Sequence, residues 1–250
     1  EVGSNNPDGV EIKSNKDENG IPRDGIPFHP YYTVKDLKGA FVFLFLFAIV
    51  VFFMPEFGGW FLEKPNFEPA NQLQTPEHIV PLWYFTPYYA ILRAVPDKLI
   101  GVIAMGLAIF MLFILPWLDR NPVKSIRYRS FLFKVLIMFF ALTFVVLGWL
   151  GVQVPTNALS EFGFRCGELY FAFFLIMWVY SRDRRPGFYF NTFIAAIVVV
   201  AIIDFLLPRE GGFMLTSFWM PLIYLAVFLL LPIFTSLNES RPVPERVIFK

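Results

Sequence analysis

Apolar residues in this chain come in long blocks with few interruptions rather than at the alternating spacing of strands or the one-sided spacing of surface helices. The blocks cover residues 39–54, 99–118, 131–150, 167–180, 189–207 and about 213–234. A helix rises about 1.5 Å per residue, so about 20 apolar residues cross the roughly 30 Å of a bilayer's hydrocarbon core. The first block reaches that length with the flanking residues 33–38, where Thr33 or Asp36 is predicted to cap the helix. The pattern predicts an all-α fold: a polytopic transmembrane helix bundle of about six spans. The polar punctuation is equally plain. Pro55 and Gly58-Gly59 end the first block, and Asp119-Arg120-Asn121-Pro122 ends the second. Residues 151–163 read as a loop around Pro155, and Pro221 as a kink within the sixth span. The run from Ser181 to Gly187 carries three arginines and one aspartate, which no bilayer core accepts. Residues 1–27 are polar and rich in turn residues, a surface segment with no hydrophobic face to bury. No internal repeat is evident.

Composition agrees. The chain of 250 residues is 56% hydrophobic, 19% aromatic and only 16% charged, with mean hydropathy +0.57; soluble domains carry about 25% charged residues. A net charge of +1 provides no field to attract nucleic acid. The single Cys166 cannot form an internal disulfide, and no Cys/His cluster has metal-ligand spacing. The 32 phenylalanines read as lipid-facing bulk. The opening at Glu1, without a signal-peptide pattern, reads as a processed chain, a split gene product or a fragment.

Charge sets the topology. Six spans return both termini to one side, and that side would hold 16 of the 21 lysines and arginines, against five (Lys64, Arg93, Lys98, Arg165 and Arg209) on the other. The positive-inside rule then puts both termini on the negative, cytoplasmic or matrix, side. The connector of residues 55–96 falls on the positive side. Within it, Thr75 to Phe85 and then Tyr88-Tyr89 are aromatic and proline-punctuated, hence rigid. Trp83, Tyr84, Phe85, Tyr88 and Tyr89 would suit a flat, lipid-soluble ring; the alternative is an interfacial aromatic belt.

The run Thr75-Pro76-Glu77-His78-Ile79-Val80-Pro81-Leu82-Trp83-Tyr84-Phe85, followed by Tyr89-Ala90-Ile91-Leu92-Arg93-Ala94-Val95-Pro96-Asp97-Lys98, resembles the quinol-oxidation region of cytochrome b. So do residues 1–10 and the run Ile26-Pro27-Phe28-His29-Pro30-Tyr31-Tyr32-Thr33-Val34-Lys35-Asp36. The blocks follow the family's order over about residues 1–180, its C-terminal half, which subunit IV of the photosynthetic complex carries as a separate chain. The resemblance divides the chain into a polar quinone-reduction side (1–38), a cytochrome b-like membrane domain (39–180) and an additional two-span region (181–250).

The resemblance implies a subunit of a quinol–cytochrome c oxidoreductase, a cytochrome bc complex that oxidises quinol at one membrane face and reduces quinone at the other. Ubiquinone is the expected quinone. The two b-type haems would be held by the N-terminal half or a partner chain, since this chain has only His29 and His78. Expected partners are that haem-ligating half, an iron–sulfur protein, a cytochrome c1-type subunit and membrane lipid, within a dimeric complex. The expected location is a mitochondrial inner or bacterial plasma membrane.

By the same resemblance, Tyr89 and Phe85 line the quinol pocket, while Pro81, Trp83 and Tyr84 shape its loop. Leu82 stands where the family usually has a glutamate that takes a proton from quinol; leucine cannot do so. Glu77, five residues upstream, is a candidate proton acceptor or else a solvated loop carboxylate. Arg93 and Asp97 are expected to brace the loop as an ion pair. On the negative side, Lys35 and Asp36 match residues that bind or protonate quinone, with Phe28 against its ring. The alternative there is Asp36 complementing a helix dipole and Lys35 snorkelling. Asp204, ionisable within a span, is a functional candidate or a partner for Arg209. Gly101, Gly106, Gly148 and Gly151 are expected at helix contacts. Two other readings compete: a non-catalytic structural subunit whose pocket has decayed, as Leu82 suggests, and a small-molecule transporter, which would want inverted repeats or mid-span charges.

Overall fold

The computed structural model describes residues 18–19, 27–57, 69, 71–73, 79–123, 125–182, 184–207, 219–234 and 239–242. Among these the chain forms seven helices and no strand: α1 (Tyr31–Phe53), α2 (Thr86–Ala94), α3 (Lys98–Leu118), α4 (Phe131–Val152), α5 (Asn157–Tyr180), α6 (Pro186–Leu206) and α7 (Trp219–Phe234). Five of them, α1 and α3 to α6, are long and apolar enough to cross a membrane. The sixth predicted span is seen as the 16-residue α7, with residues 213–218 outside the described residues. Pro221, the expected kink, sits in the first turn of the described helix, where no intrahelical donor is required of it. The chain is a polytopic helical membrane protein, and it divides into one unit holding α1 and another holding α2 to α7.

In the first unit, α1 starts earlier than either expected cap. Pro30 occupies the cap position, and the Phe28 carbonyl accepts the Tyr32 N–H at 2.7 Å. Proline is suited to a helix entry because its fixed φ and missing donor cost nothing there. Thr33 and Asp36 therefore lie inside the helix, and no residue of α1 is buried.

The second unit is built around α5. Its buried side chains, including Tyr170, Phe173, Phe174 and Ile176, meet α3, α4 and α7. Phe140 of α4 stacks on Phe173 at 4.1 Å between ring centroids. Two buried tyrosines satisfy their hydroxyls on neighbouring backbones: Tyr170 donates to the Ala108 carbonyl of α3 at 2.9 Å, and Tyr180 to the Phe228 carbonyl of α7 at 2.7 Å. A carbonyl in a helix can accept a second bond, so each tyrosine ties two helices without breaking either ladder. At the far end of α3, Arg129 grips both Asp119 carboxylate oxygens, at 3.0 and 2.6 Å, and the Val123 carbonyl at 2.8 Å. That clamp closes the turn between α3 and α4.

One loop expectation is corrected. Residues 151–163 do not form a loop throughout: α4 runs on to Val152, and α5 begins at Asn157, ten residues before the predicted start. Thr156 caps α5, its hydroxyl accepting the Leu159 N–H at 3.3 Å. The polar Glu161, Arg165 and Glu168 lie within the helix, because they neutralise one another. Arg165 Nε donates to Glu161 at 3.0 Å and its Nη1 to Glu168 at 2.8 Å. The same guanidinium reaches Asp204 of α6 at 2.6 Å; Arg209, the partner expected for Asp204, lies outside the described residues.

Candidate functional site

The short helix α2 is held where three longer helices make room for it. A methyl group on Gly151 of α4 would meet the Thr86 carbonyl oxygen at 2.2 Å, and one on Gly101 of α3 would meet the Leu92 carbonyl oxygen at 2.7 Å. Real side chains never come that close, so glycine is required at both crossings. Gly148 adds ordinary contact with Pro87 at 3.5 Å, whereas Gly106, also expected at a contact, faces open space. Thr86, Pro87, Ala90, Ile91 and Ala94 are the buried face that results.

Polar bonds fix the rest. Arg93 Nη2 donates to the Leu150 carbonyl at 2.9 Å, which also accepts the Gln153 N–H at 3.2 Å, and to the Gln153 carbonyl at 2.8 Å, tying down the end of α4. Its guanidinium lies over the Tyr89 ring, 5.1 Å from the centroid. Asp97 caps α3 instead, accepting the Ile100 N–H at 2.8 Å. The expected brace of Arg93 with Asp97 is thus two separate devices, one for each neighbouring helix end.

This base carries the turn of residues 82–85. The Phe85 N–H donates to the Leu82 carbonyl at 2.8 Å, and the Thr86 hydroxyl donates to the Trp83 carbonyl at 2.7 Å. The turn displays its side chains: Leu82 is 60% exposed, Trp83 81% and Tyr84 54%. Trp83 and Tyr84 meet edge to face at 5.8 Å. Pro81, Phe85, Tyr88 and Tyr89 are half-buried. Phe85 packs on Tyr88 at 5.7 Å, and Tyr88 on Phe144 of α4 at 5.8 Å. Burial lifts the Tyr88 phenol above its ordinary value, against a smaller lowering by its hydrogen bond with Tyr170, so it stays neutral at physiological pH. The five aromatics therefore form an inner pair, Phe85 and Tyr88, an outer pair, Trp83 and Tyr84, and Tyr89 on its own cation. Glu77 and His78 lie outside the described residues.

In the unit of α1, Phe28 stacks on Tyr32 at 5.9 Å, and Lys35 Nζ lies 5.5 Å from the same ring. Phe28 and Lys35 thus meet on a residue that the sequence reading did not select. Asp36 is exposed one position further on, and His29 shares a hydrogen bond of 3.3 Å with Thr33. The sequence reading singled out Asp204 but passed over its cluster with Glu161, Arg165 and Glu168. Its signal was the spacing of Glu161, Arg165 and Glu168 at four and three residues, which puts them on one helical face.

The fold and site define a polytopic helical membrane protein with an exposed aromatic turn on a clamped short helix. The family described as "Cytochrome b(C-terminal)/b6/petD" matches residues 69–171 of this chain. The chain is similar to cytochrome b of Allochromatium vinosum, 55% identical over 188 residues that cover 72% of this chain and 45% of that protein. It is similar to cytochrome b/c1 of Bradyrhizobium diazoefficiens, 41% identical over 222 residues that cover 86% of this chain and 31% of that one. The chain thus spans less than half the length of these relatives. A match covering 86% of the chain must extend past residue 180. Among solved structures, a chain of a hyperthermophilic respiratory Complex III superposes with TM-score 0.60 at 37% identity, covering 71% of this chain and 43% of that one.

Proposed function

We propose that this chain is a subunit of a quinol–cytochrome c oxidoreductase, a cytochrome bc complex, in which it walls the quinol-oxidation and quinone-reduction pockets. The observation that carries the proposal is the turn of residues 82–85, displayed on a helix that is fixed by Gly151, Gly101 and Arg93. A rigid base under exposed aromatics suits a surface that is completed by other subunits. The family match over residues 69–171 and the Complex III likeness support the same reading.

Quinol supplies two electrons and two protons when it is oxidised. In this reading Phe85 and Tyr89 set the position of its ring, Pro81 fixes the loop, and Trp83 and Tyr84 face the iron–sulfur partner. Leu82 offers no proton acceptor, so the proton passes to water or to Glu77. On the negative side Phe28, Lys35 and Asp36 serve the quinone being reduced, Lys35 by charge and Asp36 by proton transfer. The chain does not fit b-haem ligation. In this reading both haems belong to the companion half, since this chain offers only His29, exposed and bonded to Thr33, and His78. A cytochrome c1-type subunit, a dimeric assembly, an additional two-span region at residues 181–250, and termini on the cytoplasmic or matrix side complete the proposal.

The test is quinol-dependent cytochrome c reduction by the assembled complex. Phe85→Ala and Tyr89→Ala should each slow turnover at least about tenfold, while Trp149→Ala, on an exposed face of α4, should not. Unchanged turnover in both variants would overturn the reading. A complex that assembles with native chain but never turns over quinol favours the structural subunit, for which Leu82 speaks.

A further inference from the structure

A cavity of about 610 Å³ lies between α2, α3, α5 and α6, on a different set of residues from the exposed turn. Its wall is apolar, with Ala104 and Leu107 from α3, Phe171 from α5, and Ala195 and Val199 from α6. Ile100 and Val199 are at once cavity wall and exposed side chains, which opens the space toward the bilayer. A volume within the 300–1,000 Å³ range of small-molecule sites is far larger than one water requires.

Two polar side chains reach this wall. The Thr192 hydroxyl is spent on the Phe188 carbonyl at 2.8 Å. Glu168 has one oxygen on Arg165, while its other oxygen, Oε1, is buried with no hydrogen-bond partner. The side chain is only 10% exposed. Buried acceptors are rarely left unmatched, because removing them from water without a donor is costly.

From the apolar wall and this unmatched acceptor, we propose that the cavity binds a membrane-soluble molecule with an apolar body and one hydroxyl donor, the hydroxyl resting on Glu168 Oε1. A quinol and a long-chain lipid alcohol share that chemistry. The apolar body lies along α3 and α6, and Arg165 holds the other Glu168 oxygen at 2.8 Å, leaving Oε1 as the acceptor that the hydroxyl must reach.

Three photoreactive probes test this on the chain in its membrane assembly, in lipid nanodiscs. They are an azido-substituted decylquinol, a diazirine-bearing fatty alcohol, and the matching diazirine hydrocarbon without a hydroxyl, with labelled peptides located by mass spectrometry. The expected result is labelling of α3, α5 or α6 cavity residues by one or both hydroxyl probes, and about tenfold less by the hydrocarbon. Labelling by only one hydroxyl probe supports the site and names its source. Ala195→Trp, which fills the cavity from its α6 wall, should abolish labelling. Glu168→Leu should reduce it about tenfold, and Glu168→Gln, which keeps an oxygen acceptor, should retain most of it. Absence of cavity labelling by both hydroxyl probes, equal labelling by the hydrocarbon, or indifference to Ala195→Trp overturns the proposal. Quinol–cytochrome c reduction is a separate readout, so failure here leaves the reading of the aromatic turn unaffected.

Discussion

A methyl group added to Gly151 would stand 2.2 Å from the carbonyl oxygen of Thr86, so α2 and α4 touch backbone to backbone at this crossing. Gly151→Ala must therefore push α2 off α4. Overpacking of this kind costs typically about 1–3 kcal/mol, and the displacement is passed directly to the turn of residues 82–85. The expected outcome is a complex that assembles but melts earlier, with quinol turnover reduced at least about tenfold because positioning errors of about 1 Å are that costly. Gly106→Ala, which meets nothing within 4 Å, is the matched control and should behave as wild type. Thermal denaturation and turnover of the two variants side by side decide the point.

Arg93 offers a second handle on the same geometry. Its guanidinium spans the Leu150 and Gln153 carbonyls, and hydrogen bonds from charged donors contribute about 1.5–3 kcal/mol each before discount for partial exposure. Arg93→Leu removes both bonds, leaves the Leu150 carbonyl only its bond from the Gln153 N–H, and frees the end of α2. Lysine has the charge but not the fork, so Arg93→Lys should recover only part of the loss. The measurement is limited proteolysis at residues 79–85: cleavage should be fastest in Arg93→Leu, intermediate in Arg93→Lys and slow in wild type. Equal rates would show that Arg93 does not hold the loop.

The spans were legible because each is a block of apolar side chains longer than a membrane is thick, a property of composition that needs no knowledge of neighbours. The start of α5 was not. Ser160, Glu161 and Arg165 look like loop residues one at a time, and become helical only because Arg165 neutralises Glu161 on its own helix and Asp204 on another. The pairing of Asp204 with Arg165 was hidden for the same reason, since the two are 39 residues apart. The aromatic turn was legible from its prolines and tryptophan, but its support was not. Gly151 and Gly101 were visible as small residues near helix contacts; that each faces a carbonyl of α2 is a fact of tertiary packing. Gly106 has the same local character and no such role.

The cluster around Arg165 makes a prediction of its own. One guanidinium, 5% exposed, serves three carboxylates, of which Glu161 is 4% exposed and Asp204 24%. Removing the cation leaves three acidic groups facing one another out of water, and breaking a buried pair in this way costs about 3–5 kcal/mol. Arg165→Leu should therefore fail to accumulate in the membrane. Asp204→Asn keeps an acceptor for Arg165 and removes one negative charge, so it should be tolerated. If Arg165→Leu is lost because of the uncompensated carboxylates, combining it with Glu161→Gln and Asp204→Asn should restore part of the yield. Membrane yield by immunoblot measures all three, and the absence of any rescue would mean that Arg165 acts through packing alone.

Leu82 can be used to ask whether proton acceptance limits the proposed quinol reaction. It sits at the start of the exposed turn, 60% exposed, where a longer polar side chain meets no packing penalty. An exposed glutamate there would titrate near its ordinary value of about 4.3, so it would be ionised and able to accept a proton throughout the neutral range. Leu82→Glu should raise quinol turnover at pH 7, and the gain should vanish as pH falls through about 4–5 and the carboxylate becomes protonated. Leu82→Gln has nearly the same shape without the basicity, and should give no gain at any pH. A pH–rate profile of the three proteins from pH 4 to 8 separates the outcomes. A gain in Leu82→Gln equal to that in Leu82→Glu would assign the effect to polarity at the turn, and no gain in either would place the limiting step away from residue 82.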